Sequence, residues 1–277
     1  MNFLKALGLL AALAAAGCAS TGGEADPRDP FESTNRAIYR FNEGFDEAIA
    51  KPVAGAYHDN LPDELRGRVR NFFANIADLL IGVNDMLQGK FEDGVIDWAR
   101  FAFNSTFGLL GLHDIASEGG LEKHNEDFGQ TFGRWGAADG PYLVIPILGS
   151  STLRDGLGTL LDWWTDPVAY ARPIRLRNSA VVLRAVNTRA DLLEASRLLE
   201  EAALDKYIFQ RDAYLQRRRS LIYDGRPPRE APESAEPRSE AAPVNAAPAA
   251  RVDNVYLPRA PAHYEAVMAT LSGTPGQ

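Results

Sequence analysis

The side chains that could do chemistry are few and scattered. The four histidines are His58, His113, His124 and His263. None has another His or a Cys at metal-ligand spacing, so no zinc signature is present. No Gly-x-Ser-x-Gly elbow occurs, which removes the usual serine-hydrolase signal. "GSSTL" at Gly149–Leu153 misses the second glycine of that elbow. "GLGTLL" at Gly156–Leu161 carries Gly-x-Gly without the third glycine, inside a stretch that reads as helix, so it is no dinucleotide loop. The pair Asp46/Glu47 falls on the polar side of a helical pattern and reads as a solvated face. From these residues we expect no metal, no cofactor and no catalytic group.

One reactive side chain stands apart. Cys18, the only cysteine, closes the run "LAALAAAGCAS". Lys5 precedes an apolar stretch from Ala6 to Ala16, too short to span a bilayer, which needs about 20 apolar residues. A charged start, a short apolar run and small residues at the end describe a secretory signal peptide. Ala15-Ala16-Gly17-Cys18 resembles a bacterial lipobox, although the position three before the cysteine is usually Leu and here is Ala15. The alternatives are lipidation of Cys18 and an ordinary signal peptide with a chance cysteine. Lipidation is favoured, because a lone exported thiol needs an explanation and has no disulfide partner. Ala19 and Ser20 stand where an inner-membrane retention signal would place Asp, which points to the outer membrane. In a bacterial lipoprotein the sequon Asn104-Ser105-Thr106 has no glycan to receive. Three acyl chains would anchor firmly, where one chain binds only marginally.

Loss of residues 1–17 removes Lys5 and no other charge, leaving 28 basic against 37 acidic residues. Such an acidic chain is a poor fit to nucleic acid. At the other end, residues 226–261 hold eight of the 17 prolines among Ala, Glu, Ser and Arg, a composition expected to stay disordered. The sequence divides into a signal peptide (1–17), a linker (18–28), a helical domain (29–223) and a Pro/Ala-rich tail (224–277), with a short helix possible near His263–Leu271.

The domain reads as helical nearly throughout. Phe31, Ile38, Phe41, Phe45 and Ile49 share one helical face, with Asp29 as cap, Pro30 in the first turn and Pro52 as a break or kink. From Pro62 to Gly89, Leu65, Val69, Phe72, Phe73, Ile76, Leu79, Leu80, Val83 and Leu87 form an apolar stripe, with Glu64, Arg68, Asn75 and Asp78 off it. A segment at Phe101–Leu112 carries no charge and reads as a helix that is either central in a core or facing lipid. Tyr142–Leu148, broken by Pro146, reads as a strand or a re-entrant apolar loop. Leu153–Trp164 reads as a helix, with Trp163 and Trp164 either at a membrane interface or in a core. Arg217, Arg218 and Arg219 end a long helical stretch, where they suit the helix dipole better than a phosphate patch. No run of alternating strands appears, so a β-barrel is not expected.

Six stretches, "DPFESTNRAIYRFNEGFD" (Asp29–Asp46), "VNDMLQG" (Val83–Gly89), "RFAFNSTFGLLGLHDIA" (Arg100–Ala116), "DFGQTFGRWG" (Asp127–Gly136), "GPYLVIPILGSSTLRDGLG" (Gly140–Gly158) and "DKYIFQRDAYLQRR" (Asp205–Arg218), resemble the MlaA/VacJ lipoproteins in order and spacing. The resemblance covers the helical domain and not the tail. It implies an all-α, ring-like domain lying in the outer membrane around an amphipathic pore. It implies removal of phospholipids from the outer leaflet, transfer to a soluble periplasmic carrier for return to the inner membrane, association with trimeric porins, and no catalysis. Phe101, Phe107, Leu109, Leu110 and Tyr142 are then candidates for the lipid path. Arg100, Arg134 and Arg154 are candidates for pairing with phosphate, each with a structural ion pair as the alternative, for instance Arg154 with Asp155. Glycines 108, 111, 129, 133 and 136 are expected at close contacts or bends. An envelope phospholipid hydrolase and a porin-organising scaffold are the competing functions.

Overall fold

A computed structural model describes residues 26–202 and 204–228. The chain divides into two units, Met1–Arg229 and Glu230–Gln277, and every described residue belongs to the first. The expected signal peptide, Cys18, the helix near His263–Leu271 and the tail beyond residue 228 lie outside the described residues. The elements are α1 (Glu32–Phe45), a π-helical turn (Asp46–Ala50), α2 (Lys51–Asn60), α3 (Asp63–Gln88), α4 (Phe91–Thr106), α5 (Ile115–Glu118), α6 (Phe128–Arg134), β1 (Tyr142–Ile145), β2 (Gly149–Thr152), α7 (Leu153–Thr165), a 3-10 turn (Pro167–Tyr170), α8 (Ile174–Asp191), α9 (Leu193–Ala202) and α10 (Lys206–Ile222). The fold is mostly helical. It departs from all-α by one antiparallel hairpin, in which Tyr142 pairs Thr152 and Ile145 pairs Gly149; no barrel forms among the described residues. No helix among them is long and apolar enough to cross a membrane.

The helix ends follow local chemistry, with three corrections. Pro62 begins α3, and Gly89, at φ 81°, ends it in the left-handed conformation that glycine adopts without strain. Asp29 does not cap α1 through its side chain; the Glu32 N–H bonds the Asp29 carbonyl, and the carboxylate is buried among Asn35 and Tyr207. Pro52 does not end the first helical stretch. The wider π turn stands immediately before it, and α2 continues with Pro52 in its first turn, where a missing N–H costs little. The apolar segment Phe101–Leu112 is not one helix. α4 stops at Thr106, and Leu109, Leu110 and Gly111 all take positive φ, 54°, 61° and 88°. The stop is built by backbone bonds, Gly111 N–H to Asn104 O at 2.8 Å and His113 N–H to Gly108 O at 2.9 Å. A Cβ at position 108 would lie 2.2 Å from the His113 carbonyl, so only glycine fits that turn.

α3 packs on α4, α2 on α8, α6 on α7, and α1 on β1. A small aromatic core joins Tyr142, Val144 and Tyr207, with Ile38, Tyr39, Tyr214 and Leu215 against it.

Candidate functional site

The burial pattern is inverted. Among the described residues, ten buried apolar residues stand beside nineteen buried polar or charged ones. Large apolar side chains are exposed on nearly every element, including Phe41, Phe91, Val95, Phe103, Leu157, Leu160 and Trp164. α3 shows this most clearly. Its stripe is as expected, but its buried positions are Arg66, Phe73, Asn75, Asp78, Ile81, Gly82, Asn84 and Asp85. Asn75 and Asp78, expected away from the packed face, are on it. They stay there because they find partners: Asn75 donates to Ser105 Oγ at 2.9 Å, Lys123 pairs with Asp78, and Thr131 Oγ1 donates to Asn84 at 2.7 Å. Trp163 and Trp164 are exposed, which removes the core alternative for them.

Two apolar tips project from polar anchors. The first is the turn after α4, where Phe107, Leu109 and Leu110 are each more than 60% exposed. Arg100 lies beneath it, 1% exposed. Its guanidinium donates two bonds to the Asp114 carboxylate, at 2.9 and 3.0 Å, one to Ser117 Oγ at 3.0 Å and one to the Leu121 carbonyl. Its Nε faces Asp78 at 3.6 Å, a charge contact without a hydrogen bond. Asn104 completes the staple by donating to Asp114 at 2.8 Å and accepting from the Ala116 N–H at 2.8 Å. Burial pushes the Asp114 carboxyl up, but bonds from Ser117, Asn104 and Arg100 outweigh it and bring it to about 2. Arg100 is therefore occupied as a structural ion pair and offers no surface for phosphate.

The second tip is the hairpin turn Pro146–Leu148. Ile147, at φ 68°, is 64% exposed and Leu148 is exposed beside it. Tyr142–Ile145 is the strand alternative, not a re-entrant loop. Two asparagines of α1, two turns apart, clamp it as substitute backbone. Asn35 donates to Tyr142 O at 3.0 Å and accepts from Val144 N–H at 2.9 Å. Asn42 donates to Ile145 O at 3.0 Å and accepts from Ile147 N–H at 2.7 Å. Tyr142 is 1% exposed, with its hydroxyl on Ser150 at 2.8 Å; it belongs to the aromatic core and not to any open path. Phe101 is half-buried.

Behind the hairpin, α6, α7 and α10 meet at a buried charge network. Arg154 is buried and pairs with Asp155 at 2.8 Å and with Asp139, the ion-pair alternative for that residue. Arg218 bridges Asp127 at 2.5 Å and Asp155 at 3.0 Å, and Tyr214 donates to Asp155 at 2.7 Å. Arg218 is thus committed to two carboxylates and offers no phosphate patch. Asp127 also caps α6 through the Gln130 N–H, and Arg218 holds its carboxyl below the ordinary range against the upward push of burial. The helices approach to backbone contact: a Cβ on Gly158 would lie 2.3 Å from the Gly129 nitrogen. Of the three arginines proposed for phosphate, Arg134 alone is exposed, 3.9 Å from Asp224. The arrangement holds apolar surface outward and charge inward.

Apolar side chains outward and polar ones inward reverse the usual arrangement of a domain folded in water. Residues 27–221 match the family model of the MlaA lipoprotein, and the chain belongs to that family. It is similar to the intermembrane phospholipid transport system lipoprotein MlaA of Escherichia coli K12, 35% identical over 213 residues, 73% of this chain and 81% of that one. A relative in Haemophilus influenzae bearing the same description is 29% identical over 233 residues, 79% of this chain and 90% of that one. An uncharacterized Rickettsia bellii protein is 31% identical over 207 residues, covering 74% and 81%. A solved structure described as "Structural basis for maintenance of bacterial outer membrane lipid asymmetry" superposes with a TM-score of 0.63 at 34% identity, covering 70% of this chain and 98% of that one.

Proposed function

We propose that this protein is an outer-membrane lipoprotein that takes phospholipids from the outer leaflet and passes them to a periplasmic carrier for return to the inner membrane. In this reading the domain sits in the membrane as a ring with an amphipathic pore, beside a trimeric porin, anchored through acylated Cys18. The observation that carries it is the inversion. Among the described residues, nineteen buried polar or charged groups and a surface rich in Phe, Leu and Trp are costly in water. They suit an apolar surround, where exposed Leu and Phe are at home and paired polar groups must be hidden. Transport needs apolar surface for acyl tails, and the exposed Phe, Leu and Trp side chains offer it. In this reading the tips Phe107–Leu110 and Ile147–Leu148 meet lipid, and Arg134, the exposed one of the three candidate arginines, is left for a headgroup.

The test is mass spectrometry of lipid carried by the purified full chain, joined to a phospholipid incubation. The expected result is intact phospholipid bound and no free fatty acid, with a diacylglyceryl group on Cys18. Cleaved lipid would instead assign a hydrolase, and a protein free of lipid would leave only a scaffold.

A further inference from the structure

Two buried aspartates and a partly buried histidine converge away from the tips. Asp85 comes from α3, Asp97 from α4 and His124 from the segment between α5 and α6. Both aspartates are fully buried, and one donor atom from each of the three residues lies within 4.8 Å of the others. The two carboxylate oxygens of Asp85 are buried and meet no hydrogen-bond donor. An unpaired buried carboxylate costs several kcal/mol, so such a group calls for a partner.

The histidine supplies the independent detail. Its Nδ1 faces Asp97 Oδ2 at 2.9 Å, while Nε2 faces Asp93 Oδ1 at 3.6 Å. A metal-binding imidazole offers one nitrogen to the ion and turns the other to an outer carboxylate; here Nδ1, on the Asp97 side, is the nitrogen for the ion, and Nε2 is on the side of Asp93. The neighbouring acid Glu126 is already committed to Lys90 at 2.9 Å and Gln88 at 2.8 Å.

We propose that Asp85, Asp97 and His124 bind one divalent transition-metal ion of the zinc class. Two carboxylates and an imidazole match its donor preference, and three protein ligands leave a position for water. The ion would join α3, α4 and the segment leading to α6. It is a structural site, separate from the lipid contacts proposed above.

The experiment uses the full chain in detergent, purified without a polyhistidine tag and stripped with chelator. Zinc is titrated by calorimetry, metal content is read after dialysis, and melting is followed. We expect one zinc per chain and, at 100-fold excess over Kd, a melting rise of about 5–10 °C. Asp85→Asn, which keeps the shape of the side chain, and His124→Gln each weaken binding by about 100-fold, since even outer partners cost 10–100-fold. His58→Gln, at a histidine 40% exposed, leaves it unchanged. Less than about a tenth of an equivalent of zinc on the wild-type chain overturns the proposal, and so does unchanged affinity in both variants. So does stability that answers to pH and not to zinc, which assigns the cluster to a shared proton. The wild-type stoichiometry decides the matter even where a variant fails to fold.

Discussion

The two apolar tips are alike in what they expose and different in how they are held. The turn at Phe107–Leu112 rests on charge: Arg100 and Asp114, tied in with Asn104 and Ser117. The hairpin tip at Pro146–Leu148 rests on neutral amides, Asn35 and Asn42, which copy the hydrogen bonding of a neighbouring strand. The difference follows from the backbone each must satisfy. A strand edge offers alternating N–H and C=O groups at fixed spacing, and an amide side chain carries one donor and one acceptor to match. The end of α4 offers no such ladder. It must turn through three residues of positive φ, and a multivalent guanidinium–carboxylate staple fixes the chain on both sides of the turn.

The comparison can be broken at the charged anchor with the largest effect. Asp114→Ala leaves Arg100 buried with Asp78, already shared with Lys123, as its one carboxylate, and should cost about 3 kcal/mol, read as a melting drop of about 6–12 °C. Asn35→Ala removes the clamp at its buried end and strands the Val144 N–H, for about 2 kcal/mol. Asn42→Ala, whose partner Ile147 N–H is exposed, should cost about 1 kcal/mol in the same melt. If Asn35→Ala proves as harmless as a surface change, the amide clamp is not what holds the hairpin.

Acid separates the two anchors without mutation. The Asp114 carboxyl is depressed to about 2, so its contribution is present above the ordinary carboxylate value and is lost as pH falls from about 4 to 2. Hydrogen-exchange protection at Gly111 and Ala116 should fall over that window before protection at Val144. The smallest effect on stability falls at the tips themselves. Leu109→Ser with Leu110→Ser should leave the melt within about 0.5 kcal/mol, because both side chains are exposed. The same pair should weaken binding to phospholipid vesicles by more than about tenfold, since each Leu forfeits up to about 2 kcal/mol of transfer into an apolar phase. Unchanged vesicle binding would mean that this tip does not meet lipid.

Periodicity made α3 and its ends legible, because Pro62 and Gly89 act on the backbone locally. It gave the stripe of α3 but not which side faces inward, since that depends on what surrounds the protein. Asn75 and Asp78 read as solvated until Ser105 and Lys123 are brought to them by other elements. The end of α4 at Thr106 was hidden, because an uncharged run containing Gly108 and Gly111 carries helix and turn signals together. The lack of charge around Leu109 and Leu110 left them readable as core or as lipid-facing, and the turn after α4 is what exposes them. Arg100 and Arg154 were readable as ion pairs or phosphate ligands, and only the third dimension separates the two. Asn35 and Asn42 went unread as clamps, although their seven-residue spacing put them on one face. Asp85, Asp97 and His124 come from three elements, so no spacing along the chain announces them.

The contact between Gly129 and Gly158 has a consequence for how this chain can vary. Glycine is the smallest residue, so every single substitution at position 158 enlarges it, and the first added carbon already meets the opposing backbone. At this point the crossing of α6 and α7 is a weld rather than a bearing: backbone meets backbone, and neither glycine offers a side chain to be trimmed, slid or repacked. Sequence drift at that point has no conservative exit, and a change there is open only to a chain that first moves one helix bodily away from the other.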